Sequence, residues 1–394
     1  MAGVLDGLRV LDFGRYIAGP YAAALLGDLG AEVIRIERTG GGDDRFVFPL
    51  AGDEGGSNYL QFNRNKKSLT LDIASDEGRA IVKQLLATAD VVVVNMPPKA
   101  LVSLGLDYDS LKAINPGIIL TTPTAFGMTG PLADKVGFDG IAQVMSGLVH
   151  MTGEAGSPTK FYGPWVDCLT ASFAFSATLA AILWKRATGE GQHVQADLLT
   201  SSLVPACALL SEEAVLHKGR GPTGNRSQTG GPADMVETRD GHVYIHVTGN
   251  PLFRRFCRMI GDESLLEDPR FATDDLRSEN GPELSRLLRD WASGKATEEV
   301  LSACEGARLP AGKVLSPREV LDLDHLRETD AFVDLPYPGM PQSAPVLKTP
   351  FELTACPGTV RTAAPTIGAD TDAILGQLGL RDADIQALRD KGIV

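Results

Sequence analysis

Leu8-Arg9-Val10-Leu11-Asp12-Phe13-Gly14-Arg15-Tyr16-Ile17-Ala18-Gly19-Pro20 carries the clearest structural signal in the chain: an apolar run stops at a glycine and gives way to a small-residue stretch. Pro20 suits the first turn of a helix and Gly19 permits close backbone approach, so the segment reads as a strand turning a corner into a helix. The same alternation repeats through the first two hundred residues, with further runs at Ala31–Ile36, Ser68–Ile73, Asp90–Asn95 and Gly117–Thr122. Val and Ile dominate the runs that would be buried on both faces, and helical periods separate them. That is the pattern of a parallel sheet wrapped by helices, and it predicts a doubly wound, Rossmann-like α/β large domain.

With 394 residues the chain exceeds the size at which one core keeps growing, which predicts two folding units. From Gly219 to Pro232 the sequence becomes rich in Gly, Pro, Thr and Ser, a composition that breaks regular structure. We therefore place the first part of the large domain at 1–217, a linker at 218–232, a small α+β domain at 233–325, and a final segment, 326–394, returning to the large domain. Within the small domain, Met235–Val247 reads as two strands joined at Arg239-Asp240-Gly241, followed by helical patterns at Phe253–Ile260 and Leu284–Trp291. The turn-rich stretch from Leu335 to Pro341 precedes a terminal helix predicted over Asp372–Lys391.

A formal charge of −13 argues against a nucleic-acid or anionic-membrane binder, since those partners attract a basic face. The longest apolar stretch, Leu169–Trp184, is interrupted by Thr170, Ser172, Ser176 and Thr178 and reads as a buried helix, not a membrane span. Met1-Ala2-Gly3-Val4-Leu5-Asp6 lacks the basic-then-apolar pattern of a secretory leader, so a cytoplasmic protein is the expectation. Five scattered cysteines without CxxC spacing predict reduced thiols and no structural zinc. His242 and His246 would share one strand face, but nothing is spaced to complete a metal set, and none is expected. The corner at Gly14 and Gly19 is not a GxGxxG, and no GxSxG elbow or phosphate loop occurs. Arg15, Arg35, Arg38, Arg64, Lys66 and Lys67 fall near the ends of the first strands, where open α/β sheets place their ligands, and could together hold a phosphorylated group.

The segment richest in chemistry is Gly163-Pro164-Trp165-Val166-Asp167-Cys168, just before a long helix of small residues. At a helix N-terminus the free N–H groups and the macrodipole favour an ionised carboxylate, and apolar neighbours could desolvate it into a nucleophile. On local pattern a capping role fits Asp167 equally, and is the commoner fate of such an aspartate.

Several segments taken together resemble family III CoA-transferases, the group of formyl-CoA and carnitine CoA-transferases (the CaiB/BaiF family). They are Leu5–Phe13, Ala18-Gly19-Pro20, Gly30–Glu37, Asn63–Asp72, Gly127-Met128-Thr129-Gly130-Pro131, Thr188-Gly189-Glu190-Gly191-Gln192, Ala363-Ala364-Pro365 and Leu375–Leu380, in the family's order. The resemblance implies that Asp167 attacks an acyl-CoA thioester and passes through a mixed anhydride and an aspartyl-CoA thioester before a carboxylic acid collects the CoA. It implies no tightly bound cofactor, with coenzyme A and acyl-CoA as substrates, and an interlocked homodimer. CoA contacts carry over onto Ile17 and Ala18, Arg38, Leu71-Asp72-Ile73-Ala74, Asn95-Met96-Pro97 and Val136-Gly137-Phe138-Asp139. Ile17 stands where formyl-CoA transferase has a glutamine, and Gly230-Gly231-Pro232 is the only match to that enzyme's shielding glycine loop, so a less polar acyl group than oxalate is expected. The sister α-methylacyl-CoA racemases have a histidine where this chain has Phe138 and a glutamate near Asn250; neither replacement moves a proton at neutral pH. Acyl-CoA isomerisation and non-catalytic acyl-CoA binding are the alternatives.

Overall fold

The computed structural model describes residues 3–50 and 55–394, so Met1 and Ala2 of the opening stretch lie outside the described residues. The chain divides into two compact units: 1–146 with 161–210 and 327–394, and 147–160 with 211–326.

The first unit is built on six strands, β1 (Arg9–Asp12), β2 (Glu32–Glu37), β3 (Lys66–Thr70), β4 (Val91–Val93), β5 (Ile119–Thr124) and β6 (His193–Asp197). They pair in the order β3-β2-β1-β4-β5-β6, every neighbour parallel. Val91, Val92 and Val93 are wholly buried, as expected of a central parallel strand covered on both faces. Four helices matter below: α1 (Ala18–Asp28), α2 (Asp76–Leu86), α3 (Asp139–Met145) and α4 (Trp165–Thr188). On one face of the sheet, Ala22, Ala23 and Leu26 of α1 pack with Ala171, Ala174 and Ala181 of α4. On the other, Ile81, Leu85 and Leu86 of α2 share a core with Ile374, Leu375 and Ile385 from the end of the chain.

Four expectations need adjustment. β6 was not predicted: His193-Val194-Gln195-Ala196-Asp197 is an edge strand, where one neighbour suffices and only Val194 is buried, so the apolar signal is weak. β3 starts at Lys66, two residues before the apolar run, because Lys66 is buried against Asp12 and Leu71–Ala74 leave the sheet. The terminal helix is two, Thr371–Gln377 and Asp382–Asp390, broken where Gly379 takes a φ of +90°. The segment 147–160 joins the second unit, where Gly153 pairs with Gly224.

α4 spans 24 residues and is long and apolar enough to cross a membrane by length and hydropathy. Its inward face, from Val166 and Thr170 through Ala174 and Thr178 to Ile182, is taken up within the first unit. Elsewhere along the helix Phe173, Leu183 and Trp184 are exposed, so the buried helix expected is buried on one side only.

In the second unit, strands Ala233–Thr238 and Gly241–His246 form an antiparallel hairpin around Arg239-Asp240, and Ala311–Lys313 adds a third strand. Helices Asn250–Ile260 and Gly281–Ala292 bury Phe253, Phe256, Leu284 and Leu288 against Val236, Val243 and Ile245. His242 and His246 point outward on the exposed face.

Candidate active site

Parallel sheets place ligands at the carboxyl ends of their strands, and two adjoining cavities lie there in the first unit. One of about 340 Å³ is lined by Gly14 and Arg15 after β1, Arg38 and Thr39 after β2, and Leu71 to Ala74 after β3. The other, about 190 Å³, is lined by Tyr16 and Ala18, Asn95 to Pro97 after β4, Thr124 and Ala125 of β5 and the loop after it, Val136 to Phe138, and Asp167. Arg15 and Met96 belong to both walls.

The corner after β1 is held by close contacts. A Cβ on Gly19 would lie 3.2 Å from the Cα of Gly14, and one on Gly14 would press on Asp12 Oδ1 at 2.7 Å. Asn95 then clamps the loop, accepting from the Arg15 N–H and donating to the Arg15 carbonyl, each at 2.8 Å. Tyr16 is held at a φ of +63°, its N–H reaching Asp44, and its ring meets Phe138 edge to face at 5.3 Å. A non-glycine residue in this conformation is strained, and such strain gathers at functional sites.

The cations near the strand ends do not act as one cluster. Arg35 makes two 2.9 Å bonds to Asp44, Arg45 chelates Glu37, Arg64 pairs with Asp28 at 2.7 Å, and Lys66 meets Asp12 at 2.6 Å, all buried. These pairs tie the strand ends together. Lys67 is bound to Glu32 near the opposite end of the sheet. That leaves Arg15, and Arg38 with its side chain 59% exposed beside Asp43, on the cavity walls.

Asp167 is the third residue of α4 and does not cap it. The position before the helix is Pro164, which offers no side-chain acceptor. The opening N–H groups are satisfied elsewhere: Trp165 donates to the Gly163 carbonyl, Cys168 to Pro164, and Val166 and Asp167 both to Asp139 Oδ1, at 2.8 and 3.1 Å. Among the described residues no group donates to the Asp167 carboxylate. Burial, and then the negative charge of Asp139, push its pKa up to about 7. Burial and the same two carboxylates push the neighbouring Cys168 thiol up to about 11, keeping it protonated.

Of the sequence-derived contacts, Ala18, Arg38, Leu71 to Ala74, Asn95 to Pro97 and Val136 to Phe138 all line one of the two cavities. Two do not. Ile17 is buried in the core beside Tyr21 and Leu25, and Asp139, 7% exposed, faces the amino end of α4. Tyr16, Thr124, Ala125 and Leu198 line the smaller cavity without having been singled out. Tyr16 follows the first strand directly, and position after a strand end was the signal available for it. In the second unit, Asn250 accepts from Arg277 at 2.8 Å. The described residues contain no group of three His, Cys, Asp or Glu able to hold a metal, and the five cysteines are unpaired.

A parallel α/β sheet thus carries a desolvated carboxylate on the wall of one of two adjoining cavities at the carboxyl ends of its strands. The family model for CoA-transferase family III matches residues 5–371, and the chain belongs to that family, the CaiB/BaiF CoA-transferases. It is 34% identical to the succinate–glutarate CoA-transferase of Agrobacterium fabrum, over 95% of both chains. It is 32% identical to the succinyl-CoA–D-citramalate CoA-transferase of Chloroflexus aurantiacus, over 99% of this chain and 98% of the other. The crystal structure of a CaiB/BaiF family protein from Brucella suis superposes with a TM-score of 0.83 at 30% identity, covering 96% of this chain and all of that one. CoA-transferases take CoA thioesters as substrates, and this chain is a CoA-transferase acting between an acyl-CoA and a carboxylate.

Proposed function

We propose that this protein moves CoA from an acyl-CoA to a carboxylic acid through a covalent intermediate on Asp167. The single observation that carries the reading is the Asp167 carboxylate: unpartnered, desolvated, and on the wall of a cavity that adjoins a second one flanked by Arg38. A carboxylate whose pKa lies near 7 is more basic than an ordinary one and correspondingly more nucleophilic.

Asp167 attacks the thioester carbonyl and expels CoA thiolate, giving a mixed anhydride. The thiolate returns to the aspartyl carbonyl and releases the donor acid, leaving an aspartyl-CoA thioester. The acceptor carboxylate attacks that thioester, expelling thiolate again, and the thiolate takes the acceptor's carbonyl from the second anhydride, freeing Asp167. The nucleotide end of CoA occupies the larger cavity with a phosphate at Arg38, and the thioester end occupies the smaller one beneath Tyr16 and Phe138. The relatives' names point to short dicarboxylic acids as donor and acceptor, succinate, glutarate and citramalate among them. We include a homodimer in this reading, supported by the apolar residues left exposed on α4.

The test is to incubate the protein with succinyl-CoA, digest it, and look by mass spectrometry for a hydroxylamine-sensitive adduct on Asp167. Full exchange activity in Asp167→Ala would end the proposal. Incorporation of solvent deuterium at the α-carbon, with no acceptor acid present, would favour isomerisation instead.

A further inference from the structure

We propose that Asp139 is a positioning residue for the acyl-transfer reaction: it closes the amino end of α4 so that nothing there is left to bind the Asp167 carboxylate. The inference rests on Asp167 being the nucleophile. A helix that begins at a proline lacks a side-chain cap, and its first N–H groups seek the nearest acceptor. In α4 the nearest carboxylate along the chain is Asp167 itself, at the third position, where an aspartate readily turns back onto the helix end. Were it to do so, it would be hydrogen-bonded, stabilised as an anion and turned from the cavity.

Asp139 prevents this from another element. Its Oδ1 takes the N–H groups of Val166 and Asp167, at 2.8 and 3.1 Å, and its Oδ2 accepts from Gln143 Nε2 at 2.5 Å. Gln143 lies one turn further along α3 and also donates to the Gly163 carbonyl at 3.1 Å, so the pair staples α3 to the loop that enters α4. Both side chains are buried, Asp139 at 7% and Gln143 at 1% exposed. The arrangement does two things for Asp167: it occupies the donors that would stabilise the carboxylate, and it sets a like charge beside it. The other ionisable groups near Asp167 are Cys168, next in the chain and held as a thiol, and Arg15, Tyr16 and Lys135 on the wall of the same cavity. None of these bonds the Asp167 carboxylate.

Two variants separate the effects. Asp139→Asn keeps an oxygen for the helix N–H groups, removes the charge and gives up the bond that Oδ2 accepts from Gln143; Asp139→Ala removes all three. The measurement is the rate of adduct formation on Asp167 with succinyl-CoA from pH 5 to 9, with thermal melts as a control for folding. In Asp139→Asn the acid-side midpoint should move down towards the ordinary carboxylate range while the adduct still forms. In Asp139→Ala the plateau rate should also fall, by tenfold or so, because Asp167 turns onto the freed N–H groups. An adduct formed by Asp139→Asn with an unmoved midpoint, or wild-type plateau rates in a folded Asp139→Ala, would overturn the proposal. Absence of any adduct in the wild type would instead remove the nucleophile reading and this one with it.

Discussion

Replacing Asp167, the proposed nucleophile, should stabilise the protein, and the gain should depend on pH. The Asp167 carboxyl ionises near 7 in the folded chain against an ordinary 3.8, and each unit of such a difference corresponds to about 1.4 kcal/mol. The native state keeps its proton through a window where the unfolded chain has released it, so stability falls as pH rises from about 4 to about 7 and the loss is complete above that. The ceiling is about 4 kcal/mol, and because Asp167 retains some solvent contact, about 2 kcal/mol is the realistic figure. Asn has nearly the same shape and never ionises. Asp167→Asn should therefore lose exchange activity and melt about 2–3 °C above the wild type at pH 8, the gap narrowing as pH falls to 5. Thermal melts of both proteins across that range make the measurement. A gap that stays constant with pH, or a variant less stable at pH 8, would refute the account of Asp167 as a desolvated anion held against its own preference.

Two further outcomes follow from the same geometry. The dependence of kcat/KM on pH should show an acid limb with a midpoint near 7, the carboxylate being the active form, and a profile already flat at pH 5.5 would contradict it. Lys66→Met should cost roughly 3–5 kcal/mol by leaving the buried Asp12 charge without its cation, only the Gly14 N–H, among the described residues, still bonding it. Urea titration would measure that loss, and Asp12→Leu in the Lys66→Met background should recover most of it.

How far the molecule could be read in advance depends on what kind of signal each part carries. Val91-Val92-Val93 and Val33-Ile34 announce themselves because a central parallel strand is apolar on both faces. His193-Val194-Gln195-Ala196-Asp197 does not, since an edge strand has fewer faces to fill. Charges mislead most. Arg35, Arg64 and Lys66 look like ligand-binding cations, yet each is neutralised in the interior by a carboxylate: Asp44 on the loop after β2 for Arg35, and Asp28 and Asp12, far off in sequence, for Arg64 and Lys66. The aspartate at the start of the long helix was visible, but the reason it does not cap that helix was not. That reason lies 28 residues earlier, in Asp139, and emerges only when α3 and α4 are brought together.

The backbone N–H of Asp72 donates to the carbonyl of Ile393, and Gly392 stands on the wall of the cavity beside Arg38. The segment around Gly392 and Ile393 thus buttresses the loop that leaves β3, far from it along the chain. A substitution that displaces Ile393 would therefore leave the strands and Asp167 in place while slackening one wall of that cavity.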